Sequence, residues 1–378
     1  PKGSAPVAVA SLFALPIVGF RRRLFLRGAF LLVLALGILI PGTYDCPLCN
    51  RLRYLWPFFP AWLVGAAALT GLVTEEWSRK RSEIAAFGLL ALGTLAGALL
   101  GYVPMAIDDL AASAAAISKQ QVSLGHWAKE NLPKGARIGL NDTGAITYFS
   151  DRQTFDVVGL TTAGEARYWA AGPGSRFEHY ERLGRRKLPT HFIVYPEWFA
   201  IDDLFGNELT ERYVPGATIL GGQRMVAYEA DYSLLGSAEA PALGDDDAFA
   251  ILDRLDVADL ESEASHRYQL LGSTQRQNYV ARSESRLDGA RSERRRDDFE
   301  LTIAPQGALV LRLAADMPTS LTVHVGSRSF EVTLPSAAWH EALLELPSDI
   351  PAGRRAISVR SGAGTFSSLH YFSLTRRQ

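Results

Sequence analysis

The sequence predicts a multi-span α-helical membrane region followed by a small α/β extracytoplasmic domain and a C-terminal β-sandwich. Three observations carry this. Nearly every long apolar run lies before Met105, and most of the charge lies after it. Short strand-like and helix-like segments alternate through the middle of the chain. After Ala281, runs of period-two alternation are separated by Gly and Pro, the pattern of packed antiparallel sheets. Whole-chain averages hide this division, because 378 residues at 48% hydrophobic, 21% charged and a net charge of -1 look like an ordinary water-soluble protein. The expected parts are spans over 1–106, an α/β domain over 107–231, a linker over 232–256 and a sandwich over 257–378.

Four apolar runs, 5–20, 24–40, 55–73 and 84–105, are the expected spans; a span needs about 20 apolar residues, so the last two qualify most clearly. Arg21 to Arg23 and Arg79 to Arg81 are the cationic loops. By the positive-inside rule both face the cytoplasm, which puts the loop around Cys46 and everything after Met105 outside. That orientation makes the domains after Met105 extracytoplasmic. Cys46 and Cys49 form "CPLC", read first as a structural disulfide or an idle pair, since a redox site needs a βαβ context and a zinc site needs more ligands. The chain opens on Pro1 and its methionines are Met105, Met225 and Met317, so it is read as the C-terminal piece of a longer protein.

In the α/β part, "AASAAAISKQQVSLGHWAKENLP" has helical spacing and stops at Pro133. "ARIGLND" reads as a buried strand, "TGAITYFS" as a helix and "QTFDVVGL" as a second strand, with further strands at "HFIVYP" and "RMVAYEA". Asp142 and Asp156 fall where the first two strands end; they are candidate cleft residues, with helix capping the favoured alternative. No phosphate-binding glycine loop, GxSxG elbow or HExxH pair occurs, so neither a nucleotide cradle, the simplest hydrolase nor a metal site is read. Arginines scattered among acids give no basic stripe for nucleic acid.

Two charged stretches flank the start of the sandwich. "RSESRLDGARSERRRDD" reads as a solvated loop. "ADLESEASHRYQ" gathers Asp259, Glu261, Glu263 and His266, read as a charged face at a domain junction ahead of a metal or sugar site. Near the membrane, Arg51, Arg53 and Tyr54 precede the apolar run broken by Pro57 and Pro60. At a span end they can anchor at the headgroups with Trp56, or an arginine fork can hold a lipid phosphate.

"RYLWPFFPAWLVGAAALTGL" resembles the late span of bacterial GT-C superfamily membrane glycosyltransferases, related to the dolichyl-phosphate-mannose protein mannosyltransferase and lipid A arabinosyltransferase class. "WAKENLPKGARIGLNDTGAITYFSDRQTFDVVGLTT" resembles the extracytoplasmic segment that follows it. The resemblance implies a bacterial inner-membrane location, a polyprenyl-phosphate-linked sugar donor, a glycan or lipid acceptor, a lipid-phosphate role for Arg53 with Arg51 and Tyr54, and chemistry with or without a divalent cation. The catalytic base of that superfamily lies on a loop that would precede Pro1. The competing expectation is a membrane-anchored extracytoplasmic module that binds a glycan or a protein without catalysis.

Overall fold

The computed structural model describes Gly71, Glu75 and residues 82–242, 248–271 and 277–377. Its helices and strands fall into two compact units, residues 1–116 with 217–219, and residues 117–216 with 220–378.

In the first unit, α1 (Ser82–Ile117) is a 36-residue helix built from Ala, Gly and Leu with Pro104 inside it. Leu89, Leu90, Leu100, Met105 and Leu110 are exposed along it. Among the described residues one helical stretch, Leu100–Asn131, is long and apolar enough to cross a membrane. The expected multi-span helical region is therefore corrected: the 84–105 run does form helix, the other three runs lie outside the described residues apart from Gly71, and the chain beyond α1 is dominated by strands.

The second unit begins with a π-helical turn, Ser118–Val122, and α2 (Ser123–Asn131). A five-stranded sheet follows, in the order β2-β1-β3-β5-β4. β1 (Arg137–Leu140) lies parallel to β2 (Gln153–Asp156) and β3 (His191–Val194), while β5 (Arg224–Ala230) runs antiparallel to β3 and to β4 (Phe205–Tyr213). α3 (Ala145–Ser150) connects β1 to β2, and α4 (Glu165–Ala171) and α5 (Pro173–Arg182) connect β2 to β3. A short α6 (Pro196–Phe199) follows β3. Both faces of the sheet are covered, which is why β1 and β3 are apolar after their first residues. Ile138, Leu140 and Ile193 pack with Leu124 and Ala128 on one side, and Phe155, Phe192 and Val194 pack with Phe177 and Tyr180 on the other.

The C-terminal part is two facing sheets. The first contains β6 (Phe249–Asp256), β7 (Asn278–Ser283), β8 (Arg286–Arg294), β10 (Ala308–Ala315), β13 (Ala337–Glu345) and β15 (Phe366–Arg376). β15 is central, with β10 along one edge and β6 and β8 sharing the other. The second sheet has the order β12-β11-β14-β9, from β9 (Arg296–Ile303), β11 (Thr319–Val325), β12 (Arg328–Leu334) and β14 (Gly353–Ser361). Alternation decides which residues go inside: Phe299, Leu301 and Ile303 of β9, Leu321, Val323 and Val325 of β11, and Ile357 and Val359 of β14 join Leu309, Leu311 and Tyr371 in one core.

Two stretches differ from the sequence reading. Part of the expected linker is β6, paired along β15 from His370↔Asp256 to Arg376↔Phe249. The arginine run expected as a solvated loop forms the β7–β8 hairpin and the start of β9, and Arg291 and Arg294 are fully buried. Burial is tolerated because each guanidinium meets a carboxylate: Arg291 donates to both oxygens of Glu263, and Arg294 donates to Asp297 at 2.8 Å. Charge count alone reads such a run as solvent-facing, since pairing across strands is not visible in one dimension.

The α/β domain and the paired sheets are interlocked. Asn278 at the start of β7 accepts from Gly174 N at 2.8 Å and donates to Ala171 O at 2.6 Å, satisfying backbone groups where α4 gives way to α5. Gly172 and Gly174 let the chain approach, since a Cβ at either would fall 2.5 Å from Asn278 Oδ1 or 2.7 Å from Tyr279 O.

Candidate functional site

The outward face of the β12-β11-β14-β9 sheet forms a groove of about 600 Å³. The same alternation that buries Phe299, Ile357 and Val323 turns Asp298, Ser358 and His324 outward. Register aligns these three side by side across three strands, through Ser358↔Asp298 and His324↔Ser358. A neighbouring row holds Arg296 opposite Arg360 and Thr322 opposite Glu331. The segment after α7 (Leu260–Ser265) runs beside β9, with Gln269 N donating to Asp298 O and Glu300 N to His266 O, and supplies Arg267 as a wall.

The groove's charges are only partly matched. Arg296 holds Asp298 through two contacts, at 3.0 and 2.7 Å. Arg267 and Arg354 both donate to Glu300, at 2.9 and 2.8 Å. The Arg354 hydrogen bond, with Arg267 adding to it, holds the Glu300 carboxyl below its ordinary pKa. Arg360 donates to Ser358 Oγ at 3.1 Å and has no carboxylate within ion-pair distance among the described residues. Two arginines directly opposite across an antiparallel pair repel each other, and only one is neutralised. The Arg360 end of the groove is left electropositive. Ser329 Oγ and His324 Nδ1 are 2.9 Å apart, fixing the imidazole at the other end.

A second concavity, of about 290 Å³, lies where α5 meets the first sheet and is lined by Glu178, Glu181, Arg182, Asp256, Asp259 and His266 among others. Glu178 is buried with Asp256 beside it, and desolvation with that neighbour pushes its pKa well up; burial also raises Glu181, with Asp256 adding to it, and raises Asp256, with Asp288 adding to it against the opposing pull of His370 and of a hydrogen bond to Glu178. Behind them Asp288 accepts from His370 Nδ1 and from Arg312 Nη1 at 2.7 Å. Burial opposes charge on His370, but Asp256 and Asp288 outweigh it and raise its pKa.

The residues singled out in the sequence are dispersed. Arg51, Arg53, Tyr54, Cys46 and Cys49 lie outside the described residues. Asp142 accepts from Gln121 Nε2 at 2.5 Å, in a buried cluster where Tyr195 Oη also bonds Gln120 and Gln121. α3 begins at Gly144 without a side-chain cap, so Asp142 does not cap it. Asp156 is buried and accepts from Val158 N, Gly159 N and Thr161 N, which organises the turn after β2 rather than a helix start or a cleft. Asp259 caps α7 through Glu261 N and Ser262 N, and Arg182 pairs with it. Glu261 meets Arg167 and Tyr168, so the stretch expected at a junction does bridge α4 and α5 to the sheets. The groove row Asp298, Ser358 and His324 was missed, although outward alternation in each strand flagged the positions; only register brings them together.

The family described as "Domain of unknown function (DUF8728)" matches residues 114–257. No curated protein matches. Among solved structures, the chain is similar to the CsCBM6-3 module from Clostridium stercorarium in complex with cellobiose, at 14% identity, covering 26% of this chain and 82% of that one with a TM-score of 0.20. A carbohydrate-binding module of Cellvibrio mixtus lichenase 5A, in complex with cellotriose, matches at 13% identity over 34% of this chain and 100% of that one, with a TM-score of 0.24. At these scores the likeness carries no function to this chain.

Proposed function

We propose that the paired sheets form a non-catalytic module that binds an acidic glycan in the groove across β9, β14 and β11, with α1 as its attachment to a membrane. The observation that carries this is the in-register row of Asp298, Ser358 and His324 beside the unneutralised Arg360. Acceptor and donor side chains at one strand spacing suit successive sugar hydroxyls, and a guanidinium fork suits a carboxylate or phosphate on the same chain. The lining contains no exposed aromatic ring, since its one aromatic, Phe299, belongs to the core. Binding would therefore rest on polar forks rather than stacking, and salt would weaken it. The exposed leucines of α1 need an apolar environment, and a bilayer supplies one.

Calorimetric titration of the full chain in detergent with a uronate oligosaccharide and its neutral counterpart tests the reading. The acidic sugar is expected to bind and the neutral one to bind more weakly. Arg360→Ala removes a charged hydrogen bond worth about 1.5–3 kcal/mol, roughly a 10- to 150-fold loss. Ser358→Trp fills the floor and is expected to abolish binding. Absence of saturable binding, or binding indifferent to Ser358→Trp, overturns the proposal.

A further inference from the structure

Where α5 meets the first sheet, two acids from different elements touch. Glu178 comes from α5 and Asp256 ends β6. Glu178 is 1% exposed. Its Oε1 accepts from Gly289 N on β8, and a Cβ at that glycine would collide with it, so the side chain is pinned between helix and strand. Its Oε2 turns to Asp256, and the two carboxyls are hydrogen-bonded through oxygens buried from solvent. An ionised carboxylate only accepts, so two of them cannot bond to each other. One proton must sit between them, and Glu178, the more buried of the two, is the donor.

The surrounding charges do not replace that proton. Arg182 of α5 pairs with Asp259, Arg254 of β6 with Glu239, and His266 after α7 with Asp253. Arg312 of β10 is taken by Asp288 and Glu341. Glu181 brings a further carboxyl to within 4.8 Å and accepts from Gly236 N at 2.8 Å. Among the described residues the cation left to the pair is His370 of β15, whose Nε2 is 3.7 Å from Asp256 Oδ2 while its Nδ1 faces Asp288 at 2.9 Å.

We propose that one shared proton between Glu178 and Asp256 clamps the α/β domain to the first sheet, and that the clamp holds in acid and slackens as pH rises. Removing the proton leaves two negative charges on buried oxygens in contact, which neither solvent nor a free cation offsets. Burial, with Asp256 and the other acids adding to it, raises the Glu178 carboxyl well above its ordinary range. The folded chain therefore keeps a proton that the unfolded chain releases near about pH 4.3. A folded value above the unfolded one means that the contribution is complete below about pH 4.3 and is lost as pH rises through the folded value. Burial raises Glu181 to about 8, and Asp256 and Asp288 raise His370 although burial opposes its charge, so both add to the same trend. The clamp is independent of the groove, which lies on the other sheet.

The test follows the full chain in detergent from about pH 5 to about pH 9 by amide exchange at Gly289, whose N–H points at Glu178, corrected for the intrinsic exchange rate. One retained proton makes the junction open up to about tenfold more readily per pH unit. Glu178→Gln offers Asp256 the same donor without an ionisable proton. It should match wild type near about pH 5 and remove up to about tenfold per unit from the slope, leaving the part due to Glu181 and His370. The infrared C=O band of a protonated carboxyl should persist at neutral pH in wild type and in Glu181→Gln, and disappear at high pH. If Glu178→Gln fails to fold, that band in Glu181→Gln decides the question alone. An exchange slope unchanged in folded Glu178→Gln, or no such band at neutral pH, overturns the clamp.

Discussion

Asp297 is the sharpest test of how the buried arginines are tolerated. Its Oδ1 accepts from Arg294 Nε at 2.8 Å and from Tyr268 Oη at 2.9 Å, and its Oδ2 accepts from Tyr371 Oη at 2.7 Å and from Ser368 Oγ. Arg294 and Asp297 are both fully buried. The other partners of Arg294 are the neutral carbonyls of Leu271, Gln269 and Arg296. Asp297→Asn keeps the shape but leaves the guanidinium without a counter-charge, and breaking a buried pair in this way costs about 3–5 kcal/mol. At roughly 2–4 °C per kcal/mol for a unit of this size, the unfolding temperature should fall by about 6–20 °C. Tyr371→Phe removes one hydrogen bond to a charged group, about 1.5–3 kcal/mol, and should cost less. Replacing both charges, as Arg294→Met with Asp297→Leu, removes the stranded charge but orphans the hydroxyls of Tyr268, Ser368 and Tyr371 and the carbonyls that Arg294 satisfied, so it should be no more stable than Asp297→Asn. Tryptophan fluorescence during thermal and urea unfolding reads all three. A loss below about 1 kcal/mol for Asp297→Asn would show that the pair is not what steadies Arg294.

Further outcomes follow from other contacts. Asn278→Ala leaves Gly174 N and Ala171 O unpaired, at about 1–3 kcal/mol for each buried group, and amide exchange at Gly174 should accelerate while exchange in β11 stays slow. Gly289→Ala drives a methyl into Glu178 and should destabilise by about 1–3 kcal/mol, measured by urea unfolding. Asp253 loses some solvation at its site, but Thr302 N and His266 hold its carboxyl below the ordinary value. The folded pKa is depressed, so its contribution is present above about pH 4 and is lost as pH falls through the folded value. Asp253→Asn should therefore flatten the stability profile below about pH 4, read by fluorescence across acid titration.

What the sequence made legible is local. Leu321, Val323 and Val325 alternate strictly with polar residues, and those three are the buried side of β11. Ile138 to Leu140 is an unbroken apolar run, as a strand covered on both faces must be. Where a charged residue is buried, the same reasoning fails: Arg291 and Arg294 fall in the run read as a solvated loop, yet they pair with Glu263 and Asp297 contributed by other elements. The approach of Glu178 to Asp256, and of Asp256 to His370, is similarly invisible, because each residue is unremarkable in its own element and they are far apart in sequence. The Arg53 reading rested on a residue outside the described part of the chain, and Asp142 and Asp156 sit at strand ends for local hydrogen bonding.

β15 is the central strand of its sheet, bordered by β10 on one side and by β6 and β8 on the other. It is also made after all three. As the nascent chain leaves the ribosome at ~5–20 residues per second, β6, β8 and β10 emerge with bare hydrogen-bonding edges that nothing yet synthesised can cover. The α/β domain can complete itself during this interval, whereas the sheets wait for Phe366 to Arg376 to arrive. A stop codon or frameshift just before Phe366 would thus leave a product whose sheet lacks its middle, a species built for aggregation and quality control rather than for partial function.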